Sequence, residues 1–191
     1  MQKILVITGS TRPNRKSLAV AEWFLEAAKS HKDDFEFELI DLAEVNLPFL
    51  DEPMPPMMGQ YHQEHTKKWA EVIGPADGYV FISPEYNHSY SPVLKNAIDF
   101  LYAEWRHKPV GFVSYGVAEG VRGVEHLKTV MIQVDTVPMN AQVSFSLFNN
   151  FTEEGKVKAD EHHHKQLQTL LDELKWWGET LKVGRANRKS Y

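Results

Sequence analysis

The apolar positions of this chain follow two alternating rhythms. Nearly continuous apolar runs of strand length occur at Lys3 to Thr8, Phe35 to Asp41, Gly78 to Ser83, Val110 to Tyr115 and Met139 to Val143. Elsewhere the apolar residues recur at helical spacing: Leu18, Ala21, Leu25 and Ala28; His65, Trp69, Val72 and Ile73; Val93, Ala97, Phe100 and Leu101; Val124, Leu127, Met131 and Val134; Leu167, Leu170, Leu171, Leu174 and Leu181. Each set lines one stripe of a helix. Strands apolar on both faces need cover on both, and a helix after each strand returns the chain to the end where it began. The pattern predicts an α/β fold, a parallel sheet between two helical layers.

Three stretches break the rhythm. Leu47 to Gly59 holds Pro48, Pro53, Pro55 and Pro56 with Met54, Met57 and Met58, which rules out regular helix or strand. It reads as an ordinary irregular loop or as a soft contact surface, over a ligand or against a second subunit. Ser144 to Lys158 reads as a second irregular connection, and Val183 to Tyr191 as a polar, basic, mobile tail. The expected organisation is one domain over residues 1–182 followed by that tail.

A chain of 191 residues, 42% hydrophobic and 25% charged, has enough apolar content for one full core. A net charge of −5 offers no general attraction to nucleic acid or anionic lipid, so neither is an expected partner. No apolar run approaches the ~20 residues of a membrane span, and no N-terminal stretch reads as a signal peptide. With no cysteine to form disulfides, a cytoplasmic location is the simplest expectation.

Against that acidic background, the segment Gly9-Ser-Thr-Arg-Pro-Asn-Arg-Lys-Ser17 stands out, because it joins the first strand to the first helix. A helix start leaves backbone N–H groups unpaired and carries partial positive charge, so an anion suits it. Ser10, Thr11 and Ser17 add hydroxyls, Arg12 can fork onto two phosphate oxygens, and Arg15 and Lys16 raise the local potential. A nucleoside-triphosphate loop needs a second glycine where Arg15 stands, a dinucleotide fingerprint needs three glycines, and a thiolate phosphatase needs a cysteine. The loop is then either a solvated basic turn or a socket for one phosphate.

The third strand is followed by Pro84-Glu-Tyr-Asn-His-Ser-Tyr-Ser-Pro92, with Ser91 as N-cap and Pro92 as the first helical residue. In a five-stranded doubly wound sheet this loop lies beside the first, across the crevice where ligands bind. Backbone amides at Glu85 to His88, the Tyr86 ring and the Asn87 amide suit a planar heterocycle. The fourth strand ends in Ser114-Tyr-Gly-Val-Ala-Glu-Gly-Val-Arg-Gly123, where glycines permit close approach and Arg122 either meets an anion or braces the loop. A phosphate at one end and a flat polar ring at the other describe a mononucleotide.

The motifs Gly9-Ser-x-Arg-x-x-x-x-Ser17, Pro84-Glu-Tyr-Asn-x-Ser89, Leu94-Lys-Asn-Ala-Ile-Asp99 and Ser114-Tyr-Gly116 with Gly120-x-Arg122 occur in order over residues 3 to 143. In these the chain resembles the NAD(P)H-dependent FMN reductases. The resemblance implies a flavodoxin-like three-layer sandwich of strand order 2-1-3-4-5, bound FMN, NADPH or NADH as co-substrate, and a homodimer or homotetramer. It implies hydride transfer from nicotinamide to the flavin N5 and onward reduction of a small acceptor: a quinone, azo dye, ferric complex or free flavin. Carried onto matching positions, Ser10, Arg12 and Ser17 hold the FMN phosphate. Pro84, Glu85, Tyr86 and Asn87 lie against the isoalloxazine, with Ser114, Tyr115 and Gly116 on its other side. No general acid or base is required, so no catalytic side chain is expected; Tyr86 and Arg122 shape acceptor access. The alternative is a flavodoxin-like FMN carrier serving a protein partner, against which the modest charge and Arg12 count. His62, His65 and His162 to His164 read as solvated helix starts rather than metal ligands, and Trp176-Trp177 as core or subunit contact.

Overall fold

A computed structural model describes residues 1–188. Its five strands, β1 (Gln2–Thr8), β2 (Phe35–Asp41), β3 (Gly78–Pro84), β4 (Pro109–Gly116) and β5 (Val137–Ser146), pair in parallel in the order β2-β1-β3-β4-β5. β3 and β4 are buried at every position, whereas edge strand β2 turns Glu36 and Glu38 to solvent. That contrast follows from the sequence: an inner strand touches helices on both faces and needs apolar residues throughout.

Alternate strand residues feed two cores. Ile4, Val6, Val80, Ile82 and Val113 pack on one face with Phe24 of α1 (Ser17–Ala27) and Leu170, Leu171 and Leu174 of α6 (Glu161–Asn187). Leu5, Ile7, Tyr79, Phe81 and Phe112 pack on the other with Trp69 of α3 (Glu64–Ile73), Leu94 and Ile98 of α4 (Pro92–Asp99), and Leu127 and Met131 of α5 (Val121–Gln133). A single turn, α2 (Leu42–Val45), follows β2. This is the expected flavodoxin-like three-layer sandwich. Among the described residues no helix is long and apolar enough to cross a membrane.

Two elements run on past their expected ends. β5 runs on to Ser146, because Ser144 and Ser146 are buried polar strand residues; Ser144 Oγ donates to Glu119 at 2.9 Å. The last helix continues through 183–187, which were expected to be tail. Lys182 and Arg185 reach Asp77 at 2.8 and 3.0 Å, and Arg185 also donates to the His107 carbonyl, docking those turns on the strands' amino ends. The rest of the expected tail, 189–191, lies outside the described residues. The proline-rich stretch is irregular apart from a 3-10 turn at Pro56–Met58, yet it is fastened. Asn96 donates to the Pro48 carbonyl and accepts from the Leu50 N–H, Asp51 meets His65 at 2.9 Å, and Glu52 accepts from the N–H groups of His62 and Gln63.

Candidate functional site

Strand order brings the loops after β1, β3, β4 and β5 to one edge of the sheet, around a cavity of about 430 Å³. Its lining includes Ser10, Arg12, Lys16, Pro84, Glu85, Tyr86 and Tyr115, seven residues drawn from three of those loops, and Leu147 from the fourth.

The first loop leaves the sheet at Gly9, whose N–H donates to the Ile82 carbonyl at 2.9 Å. A Cβ on Gly9 would stand 2.4 Å from Leu94 Cδ1, so any side chain there would have to displace the buried Leu94 side chain of α4. The loop closes on α1, where Lys16 is the N-cap and no side chain caps the first turn. The Ser17 hydroxyl is wholly buried there, beside the Tyr115 phenol, and no hydrogen bond of ordinary geometry reaches it. Leaving a buried hydroxyl and a helix start unsatisfied costs stability, and an anion with several acceptor oxygens would satisfy both. Arg12 is exposed, has no acidic partner among the described residues, and lies over the Tyr86 ring at 5.9 Å.

Arg15 is not available as expected. It is paired with Asp41, which also accepts from Thr8 Oγ1 at 2.9 Å and the Ala43 N–H at 3.0 Å. Burial pushes the Asp41 carboxyl up, but hydrogen bonds from Arg15, Ala43 and Thr8 outweigh it and hold the group below its ordinary value.

Two tyrosines expected at the ring extend their hydroxyls toward Ser10 and Ser17 of the first loop. Tyr86 and Ser10 share a hydrogen bond of 2.7 Å. The Tyr115 phenol is kept protonated chiefly by burial and then by Tyr86, while Ser17, Ser10 and Arg12 act in the opposite direction. The i, i+2 alternation of β4 already placed Tyr115 on the same face as Val113, toward α1.

The loop after β3 is a tight hairpin. Tyr86 N–H donates to Ser89 O at 2.8 Å and Ser89 N–H to Tyr86 O at 3.1 Å, with Asn87 and His88 both at positive φ (48° and 75°). Since the Glu85 N–H donates to the Tyr115 carbonyl at 3.1 Å, only the Asn87 and His88 amides remain open of the four expected to face a ring. Ser114 turns its hydroxyl to the Glu119 carbonyl at 2.7 Å and braces the next loop. Gly116 and Gly120 allow close approach: a Cβ on the first would lie 3.1 Å from Glu85 Cβ, and a Cβ on the second, which sits at φ +77°, would lie 2.9 Å from Tyr115 N. Arg122 pairs with Glu85, which ties the start of α5 to the loop after β3.

Leu147, Pro13 and Asn14 line the cavity and were not singled out from sequence. Leu147 was hidden by the early end expected for β5, whereas Pro13-Asn14 stood inside the motif. A second cavity, about 520 Å³, lies across Thr11 from the first, walled by Leu42, Leu47, Phe49 and Val93 with Asn46 and Asn96 at its rim. Among the histidines, His163 is buried and stacked on Phe145 at 4.6 Å, while Asp160 caps α6 beneath it; its place is structural, not the solvated start expected. Among the described residues no group of three or more His, Asp or Glu converges as a metal site.

The family model described as NADPH-dependent FMN reductase matches residues 2–150. An NAD(P)H-dependent FMN reductase of Schizosaccharomyces pombe is 46% identical over 130 residues, covering 67% of this chain and 64% of that protein. One from Nectria sp is 42% identical over 127 residues, covering 64% and 63%. The chain thus spans just under two thirds of the length of these relatives. The flavoenzyme NAD(P)H:(acceptor) oxidoreductase FerB of Paracoccus denitrificans superposes with a TM-score of 0.73 at 25% identity, over 94% of this chain and 98% of its own. On these matches the chain belongs to the NADPH-dependent FMN reductase family.

Proposed function

We propose that this chain binds FMN in the 430 Å³ cavity and oxidises NADPH or NADH to reduce a small acceptor such as a quinone, azo dye, ferric complex or free flavin. The observation that carries this reading is the buried Ser17 hydroxyl, free of any hydrogen bond of ordinary geometry, at the uncapped start of α1, next in the chain to Lys16 in the lining of a cavity whose wall also holds Pro84, Glu85 and Tyr86. The donor set fits a phosphate monoester: hydroxyls of Ser10, Ser17, Tyr86 and Tyr115, the first-turn amides of α1, and the unpaired Arg12. The open amides of Asn87 and His88 and the glycine backbone at Gly116 fit a planar ring with carbonyl acceptors. Pro84 and Glu85 supply its wall, and Ser114 braces the loop after β4 through the Glu119 carbonyl.

FMN, when bound, supplies the redox chemistry, accepting the equivalent of a hydride from the nicotinamide and giving electrons to the acceptor. The chain's own residues bind and orient it, and no side chain is needed as general acid or base. The relatives' names support both the nicotinamide donor and the flavin, and a Staphylococcus aureus FMN-dependent NADPH-azoreductase 33% identical over 147 residues supports a small acceptor. A homodimer or homotetramer is part of the same reading.

FMN titration followed by flavin fluorescence, then NADPH and NADH oxidation against a panel of the four acceptor types, tests the proposal. Saturable uptake of one FMN per chain and acceptor-dependent turnover are expected. A protein that binds FMN yet oxidises neither nucleotide with any acceptor would return the assignment to an electron carrier.

A further inference from the structure

Glu85 is the one acidic residue among those lining the 430 Å³ cavity, whose opposite end carries Arg12, Arg15 and Lys16. Its side chain is only 4% exposed, and Arg122 from the first turn of α5 is the group that neutralises it. The neutralisation is incomplete in form. Arg122 Nη2 donates to Glu85 Oε1, while Glu85 Oε2 and Arg122 Nε are both buried without partners. A guanidinium and a carboxylate have the atoms for two parallel bonds, and here one is made. Gly116 lies directly against the Glu85 side chain, and Gly123 lets α5 approach the hairpin so closely that a Cβ there would be 3.0 Å from the Ser89 carbonyl. The pair is thus clamped between the two loops that would face a flavin ring, and its second carboxylate oxygen is buried in the cavity wall without a hydrogen bond.

We propose that the Glu85–Arg122 pair sets the reduction potential of FMN bound in this cavity: Glu85 opposes, and Arg122 restores, the accumulation of negative charge on the ring. The inference rests on the FMN-binding reading above. Near neutral pH, reduction of the ring by two electrons takes up one proton, so the bound ring gains one negative charge. A fixed carboxylate in a water-poor wall disfavours that gain, and a paired guanidinium cancels most of the effect. Arg15, held by Asp41, and Lys16, which lies over Phe151 at 5.4 Å, are engaged elsewhere and do not face Glu85.

The test is the midpoint potential of the FMN-loaded protein, measured by equilibration with reference dyes, for Arg122→Gln, Glu85→Gln, Arg122→Lys and the double Glu85→Gln/Arg122→Gln variant. Arg122→Gln is expected to weaken binding of reduced relative to oxidised FMN about tenfold, a fall of ~30 mV for a two-electron couple. Glu85→Gln is expected to shift the ratio about tenfold the other way. The double variant and Arg122→Lys should stay within about threefold of the parent. Opposite signs separate this role from bracing, which would move both single variants the same way. Single variants that bind FMN but shift together, or not at all, overturn the proposal and leave FMN binding intact. A parent protein that takes up no FMN overturns the binding reading and this inference with it. Should Arg122→Gln fail to fold, Glu85→Gln and Arg122→Lys decide: an unmoved potential in Glu85→Gln overturns the proposal.

Discussion

The two ends of the parallel sheet bury charge in opposite ways. At the amino end, Lys108 is 5% exposed and its ammonium donates to the carbonyls of Gly74 and Glu104, both at 2.7 Å, with Tyr79 Oη at 2.9 Å and the Ile73 carbonyl at 3.4 Å. Asp77 beside it accepts from the Lys3 N–H, Lys182 and Arg185. At the carboxyl end, Ser17 Oγ, Arg15 Nε, Glu85 Oε2 and Arg122 Nε lack partners, four of the seven such buried atoms among the described residues. At the amino end Gln2 Oε1 is the one such atom on a strand, so elements of the same sheet end in a nearly closed network on one side and an open one on the other. A closed network stabilises the fold. An open one is tolerated only where something else completes it.

Replacing Arg12 and Ser17 together by alanine gives the sharpest break in that comparison. A charge-assisted hydrogen bond contributes about 1.5–3 kcal/mol and a neutral one about 1, so FMN affinity should fall by roughly a few hundredfold in a fluorescence titration. Urea unfolding should register no loss, because deleting the orphan Ser17 hydroxyl removes a desolvated group with no bond to break. Unchanged affinity would show that the open end does not hold a phosphate.

The reverse pattern is expected at the closed end. Lys108→Met leaves the Gly74 carbonyl without its donor and the Glu104 carbonyl with Tyr79 Oη alone, and should lower stability by about 3 kcal/mol in urea unfolding, with FMN affinity within about twofold. Burial and then Arg185 depress the Lys108 ammonium from its ordinary 10.5 to about 8. Between those values the unfolded chain binds the proton more tightly, so this group's contribution makes stability rise with pH from about 8. Burial raises the neighbouring Tyr79 phenol well above 10.0, which reverses the slope at higher pH. The parent should gain about 1–2 kcal/mol from pH 8 to about 10 relative to Lys108→Met, read from parallel denaturation curves; equal slopes would place the ammonium's charge elsewhere.

The open end was more legible in the sequence than the closed one, for a physical reason. Residues 9–17, 84–89 and 114–123 are contiguous, and their chemistry is local: hydroxyls and glycines crowded into short turns, with basic groups among them. Strand alternation alone brings them to one edge. That the Tyr86 and Tyr115 phenols run back toward Ser10 and Ser17 was not legible, because the backbone near a ring says nothing of where a long side chain ends. The Arg122–Glu85 and Arg15–Asp41 pairs join residues 37 and 26 positions apart. The closed end escaped notice because Lys108, Asp77 and Arg185 are far apart in the chain and unremarkable singly. The same distance concealed that α6 continues to Asn187, since what holds its last turns is Asp77, not its own apolar stripe.

The smallest effect tests the one place where the open end is partly closed from within. Asp41 withdraws Arg15 from the socket while capping α2, its Oδ1 accepting from Ala43 N–H. Asparagine keeps that acceptor and loses the charge, so Asp41→Asn should leave α2 capped and release the guanidinium toward the cavity it lines. FMN affinity is then expected to tighten about threefold at low salt and to converge on the parent value as ionic strength rises, because the added attraction is screened. The same change should remove acid sensitivity: a carboxyl held below its ordinary 3.8 stabilises the fold above that value and loses the contribution as pH falls through its folded pKa. Weaker FMN binding in Asp41→Asn would mean that the carboxylate orders Arg15 for the ligand and does not compete with it, which would make the Arg15–Asp41 pair part of the open end's machinery, where the charge pattern alone places it outside.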